Sequence, residues 1–288
     1  MTNILLILML NAVATFDLFP RQLYDNSGNT VIIATQPQRI VSLTLATDEI
    51  LLAICPLKNI AAISTMATDS NYSNVTIQAN KIPNKTTTNT EYILSFKPDL
   101  VFIASYSQAE MVELLQKTDT SVFRFSNFNS IADIKKNIKT VGFAIGEDKN
   151  AANIVAQMEA DIKAIQTSIP NKKPPRIMSY SLGNYTAGRN TTFDDMAKLV
   201  GAVNIVAEQG IEQHVKINNE YILAWQPEFI ISHASKDKFT ITKQQMLTNP
   251  AIAASKAKII FIENRYFLSV SQYIVFGIRD LAKELYGL

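Results

Sequence analysis

Residues 89–103 read NTEYILSFKPDLVFI, and residues 218–232 read NNEYILAWQPEFIIS. The two stretches align without a gap at an offset of 129 residues, with Asn, Glu, Tyr, Ile, Leu and Pro identical. Asn89 and Asn218 are placed to cap a short helix, which puts Glu91 and Glu220 in its first turn, where the helix dipole favours a carboxylate. Lys97-Pro98 and Gln226-Pro227 end that helix, because proline removes a donor and pushes the residue before it out of the α region. The apolar runs Leu100 to Ala104 and Phe229 to Ile231 then read as strands buried on both faces of a parallel sheet. A repeat of this length implies two similar lobes.

Working outward, each lobe opens on a second shared phrase. PQRIVSLTL at 37–45 and PPRIMSYSL at 174–182 keep Pro, Arg, Ile, Ser and Leu at the same steps. In both, a buried strand runs into a polar loop and then a helix, with Thr47 the expected cap of the first helix and Thr192 to Val200 the second. Between the lobes, Ile154, Val155, Met158, Ile162, Ile165 and Ile169 recur with helical periodicity, closed by Pro170. About 22 residues at 1.5 Å each predict a rod of roughly 33 Å. Ahead of the first lobe, 22–34 reads as a hairpin. Strands alternate with helices throughout, so the expected architecture is α/β: two Rossmann-like lobes with mainly parallel central sheets joined by one long helix. The expected boundaries are 15–145, 146–170 for the linking helix, and 171–288. Residues 1–14 read as a secretory signal peptide, with an apolar run at Ile4 to Leu10 and the small-residue pattern Ala12-Val13-Ala14.

Composition narrows the function. The 288 residues are 47% hydrophobic with a net charge of +2, and the basic residues are scattered, which argues against a nucleic-acid partner. The chain has no Gly-rich phosphate loop, no G-x-S-x-G elbow, no H-E-x-x-H and no C-x-x-C. With two histidines and one cysteine in the chain, neither a protein-built metal site nor a catalytic set is expected. Asp194-Asp195 reads as first-turn helix charge, and Cys55 as a small packed hydrophobe.

In open α/β sheets ligands lie beyond the carboxyl ends of the strands. The residues delivered there are Thr44, Thr47, Ser64, Thr65 and Tyr106 from the first lobe. From the second come Tyr180, Asn184, Tyr185, Arg189, His233, Arg265 and Tyr266, with Phe267 beside them. Aromatics, hydroxyls and two arginines suit a large, partly apolar ligand with hydrogen-bonding or anionic groups.

The stretches 37–54, 89–106, 185–206 and 218–229, with the long helix between them, resemble the class III periplasmic substrate-binding proteins of ABC importers for ferric siderophores, haem and cobalamin. The resemblance implies a ligand cleft between the lobes and a carboxylate on each lobe that docks on the permease of the inner membrane, and the single long helix predicts modest closure on binding. Those carboxylates fall on Glu91 and Glu220. It further implies a periplasmic monomer, without a cofactor of its own, whose small-molecule metal chelate carries its own iron or cobalt. A haem importer's binding protein, with Tyr106 or Tyr180 on the iron, and a two-lobed enzyme stay open as alternatives.

Overall fold

The computed structural model describes residues 19–25, 28–105 and 107–288. The expected signal segment and Tyr106 lie outside these residues. An antiparallel hairpin comes first, β1 (Arg21–Tyr24) and β2 (Thr30–Ile33). Arg21 fastens it to the body. Its buried guanidinium lies between the Phe19 and Phe143 rings, at 4.7 and 4.6 Å, and donates to Asp148 at 2.7 Å.

The first half then runs β3 (Ile40–Ser42), α1 (Leu45–Ile54), β4 (Ile60–Ser64), α2 (Thr76–Ala79), β5 (Lys85–Thr86), α3 (Thr90–Ser95), β6 (Leu100–Ala104), α4 (Ala109–Gln116), β7 (Ser121–Phe125) and α5 (Ile131–Ile145). Its sheet is parallel, in the order β5-β4-β3-β6-β7. After the long helix α6 (Asp148–Ser168), the second half runs β8 (Arg176–Ser179), β9 (Tyr185–Ala187), α7 (Thr192–Leu199), β10 (Val203–Asn204), α8 (Ile205–Glu208), β11 (His214–Lys216), α9 (Asn219–Trp225), β12 (Phe229–Ala234), α10 (Phe239–Leu247), α11 (Pro250–Ser255), β13 (Lys258–Glu263), α12 (Asn264–Phe267) and α13 (Ile274–Tyr286). Its parallel sheet has the order β10-β8-β12-β13, which repeats β4-β3-β6-β7 of the first.

The duplicated phrases therefore occupy the centre of both sheets. β6 is buried along its whole length, as an unbroken apolar run requires between two helical layers. The turn entering it is built alike in both copies. Lys97 (φ 48°) and Gln226 (φ 50°) adopt the left-handed conformation just before a buried proline. The next residue then donates its amide to the arginine of the other shared phrase, Asp99 to the Arg39 carbonyl at 3.1 Å and Glu228 to the Arg176 carbonyl at 2.9 Å. So Pro-x-Arg and Lys/Gln-Pro-Asp/Glu are the two sides of one corner, made twice.

Two caps differ from expectation. The cap of α1 is Thr44, whose Oγ1 accepts from the Thr47 amide at 3.2 Å, so the helix starts earlier and Thr47 is inside it. Asn89 caps α3 through the Tyr92 amide at 2.8 Å, but Asn218 makes no side-chain cap to α9. Cys55 is buried, and burial pushes its thiol up to about 12, in keeping with simple packing.

At 21 residues, α6 is about 32 Å long. It buries Ala151, Val155, Met158, Ile162 and Ile165 and packs on α5 of the first half and α13 of the second. Gly142 of α5 permits the closest approach, since a Cβ there would lie 2.3 Å from that of Ala151. One apolar cluster consequently runs from the first half through α6 into the second.

Candidate functional site

Both sheets turn their carboxyl edges toward a shared cavity of about 290 Å³. From the second half, Tyr180 follows β8, His233 lies near the end of β12, and Phe267 ends α12, the turn after β13. The antiparallel ribbon of β9 and β11 adds Tyr185, Thr186 and His214, and the first turn of α7 adds Phe193. The first half contributes Phe128 and Asn129, from the loop between β7 and α5. The aromatic corner is ordered by ring contacts: His233 stacks on Phe267 at 5.2 Å, and Phe193 tilts against Phe267 at 5.9 Å. His233 Nδ1 is held 2.8 Å from Asn264 Oδ1. Burial lowers the basicity of His233 below the usual histidine range, partly offset by Asn264, and burial lowers that of His214 as well.

Of the expected ligand residues, Tyr180, Tyr185 and His233 meet on this wall. Phe267 joins them, and the other described residues of that set are placed elsewhere. Thr44 and Thr47 are buried with their hydroxyls 2.8 Å apart in the α1 cap. The Ser64 hydroxyl is consumed by buried Asp48, and Thr65 is exposed in the turn beyond. Asn184 accepts from the Tyr180 hydroxyl at 2.6 Å, which engages both. Arg189 donates Nε to the Ala207 carbonyl at 2.9 Å. Arg265 pairs with Glu263 at 3.0 Å and lies over the Tyr266 ring, whose edge meets Phe276. The sequence reading missed Phe128, Asn129, Phe193 and His214. The carboxyl-edge rule, applied to β7 as well, points straight to Phe128 and Asn129.

The halves are joined beside this cavity by a polar knot. Glu49 of α1 is buried, and its Oε1 accepts from the Asn74 amide at 2.8 Å and from Asn74 Nδ2 at 2.9 Å. Its other oxygen accepts from Ser271 in the segment before α13. Gln272 donates to the Glu49 carbonyl at 2.9 Å, and Asn74 Nδ2 donates to the Arg265 carbonyl at 2.8 Å. Asp195 adds a second link, accepting from the Ile131 amide at 2.8 Å, which is more than the first-turn charge expected of it. Desolvation raises the Glu49 carboxyl above its ordinary range and raises neighbouring Asp48 to about 7.

Gly277 of α13 keeps α12 in place under the cavity. A Cβ there would lie 2.7 Å from the Tyr266 carbonyl oxygen. Gly277→Ala is expected to cost about 2 kcal/mol through displacement of α12, checked by urea unfolding.

Glu91 and Glu220 are both exposed. Glu91 shares a surface hollow with Gln108 and Glu110 at the start of α4, which follows β6. Asn219, next to Glu220, accepts from Asn249, which also reaches the Tyr180 hydroxyl at 3.3 Å just past β8. Each glutamate thus stands at the carboxyl edge of its own sheet, one on each half.

Residues 40–265 match the family profile described as Periplasmic binding protein. The chain belongs to that family. Among curated relatives, this periplasmic binding protein is 23% identical over 279 residues to an uncharacterized ABC transporter substrate-binding lipoprotein of Bacillus subtilis (strain 168), covering 94% of this chain and 87% of that one. It is 24% identical over 239 residues to a cobalamin-binding protein of Halobacterium salinarum, covering 81% of this chain and 64% of that longer one. Among solved structures, the periplasmic heme-binding protein of Roseiflexus sp. RS-1 in apo form superposes with a TM-score of 0.73 at 23% identity, over 87% of this chain and 98% of that one. That likeness bears on the fold alone, and it agrees with the two-lobed, mainly parallel α/β architecture. Among the described residues, no helix of this periplasmic binding protein is long and apolar enough to cross a membrane.

Proposed function

We propose that this periplasmic binding protein is the solute-binding component of an ABC importer. It works outside the inner membrane as a monomer, without covalent chemistry and without a cofactor of its own. It takes up a small-molecule metal chelate, an iron-siderophore or cobalamin-like ligand, and hands it to the permease. The observation that carries this reading is the cavity formed where the carboxyl edges of two duplicated sheets meet, with one exposed glutamate at each edge. The cobalamin-binding name of a curated relative supports the same ligand class. A haem ligand held by Tyr180 is disfavoured, because that hydroxyl is buried and already donates to Asn184.

Calorimetric titration of the purified protein with ferric siderophores, cyanocobalamin and haemin tests the reading. At least one is expected to bind one-to-one with a dissociation constant near or below ~1 µM. Silence toward every member of the panel would remove the metal-chelate assignment.

A further inference from the structure

We infer that the cavity selects an uncharged ligand with a flat apolar face, and rejects chelates that carry negative charge into it. The inference rests on the cavity being the solute site. Its basis is the wall itself. Among the described residues, no Asp, Glu, Lys or Arg lines it.

Three groups on or beside the wall that could have met an anion are engaged elsewhere. Arg265, two residues before Phe267, is paired with Glu263 at 3.0 Å. Ser179 and Thr186 are turned toward the backbone: Thr186 Oγ1 donates to the Ser179 carbonyl at 2.7 Å, and Ser179 Oγ accepts from the Ala187 amide at 2.9 Å. Burial keeps His233 from becoming a compensating cation near neutral pH. An anion entering this space would lose its water without gaining a counter-charge, which is the costly way to bury charge. An uncharged ring system loses little and gains the His233–Phe267 stack as a platform.

The test titrates the full-length protein with four probes: cyanocobalamin and an uncharged ferric trihydroxamate on one side, haemin and a ferric tris-catecholate on the other. An uncharged probe is expected to bind at least about tenfold more tightly than either anionic one. If an anionic probe binds tightest, the charge inference is overturned while solute binding stands. If none binds, the solute reading itself fails and takes the inference with it. A second arm uses Leu268→Arg, an exposed position on the cavity wall. It should raise affinity for the anionic probes at least about tenfold relative to the uncharged ones, so that the preference narrows or reverses. Unchanged selection in that variant would show that wall charge does not set the preference.

Discussion

Glu49→Ala is expected to lower the unfolding free energy by about 3 kcal/mol, because it strips an acceptor from buried donors on both halves at once. In a chain of this size that is a fall in melting temperature of roughly 6–12 °C. Ser271 and Asn74 would be left facing a cavity, and the joint between α1 and the segment before α13 would lose its centre. Glu49→Gln keeps one acceptor for Asn74 and gains a donor for Ser271, so it should fall within about 1 kcal/mol of the parent. A loss of less than about 1 kcal/mol for the alanine variant would show that the knot is not holding the halves together.

The same carboxyls set a pH dependence. Asp48 and Glu49 both have folded pKa values above their unfolded ones, chiefly through desolvation. A raised acid favours the fold most when it is protonated. The Asp48 contribution is thus whole below its ordinary value of 3.8 and is lost as pH climbs toward about 7. Glu49 acts in the same direction. Thermal melts of Asp48→Asn should consequently show a flatter decline between about pH 4 and about pH 8 than the parent does. Asn is suited to the site, since it can still accept from the Ser64 amide and donate to the Ser64 hydroxyl.

The largest functional effect is expected from Glu91→Ala combined with Glu220→Ala. Uptake should fall at least about tenfold while ligand affinity stays within about twofold. Both side chains are exposed, and neither lines the cavity, so removing them leaves the ligand's surroundings intact. What they offer is one negative charge on each half at a matching position, suited to paired cations on a permease. The single variants should each lose part of the rate. Full uptake by the double variant would end the docking assignment, and a parallel loss of ligand affinity would point to a folding defect instead.

The fold was legible where local pattern and tertiary demand coincide. The apolar run at Leu100 to Ala104 could only be a buried strand, and the helical spacing from Val155 to Ile165 could only face a core. Proline after Lys97 and Gln226 marked the corners, although not their left-handed backbone, which is set by the arginine phrase packed across the turn. The ribbon of β9 and β11 was not legible. Its strands are three residues each and far apart in sequence, so neither carries a period long enough to register. The site was half legible for a related reason. Strand ends can be found from pattern, but a hydroxyl at a strand end can turn inward or outward. Thr44, Thr47 and Ser64 turn inward because a helix cap and the buried Asp48 need them. Phe193 and His214 reach the cavity only through the ribbon and the α7 approach, which depend on contacts distant in the chain.

The apolar cluster that runs through α6 has a mechanical meaning. Two bodies sharing one continuous core cannot swing on a free hinge. Separating them means exposing side chains such as Val155, Met158 and Ile162, each worth about 1.5–3 kcal/mol when kept from water. Thermal agitation alone does not supply that. Wide separation of the two halves is therefore work done on the protein from outside.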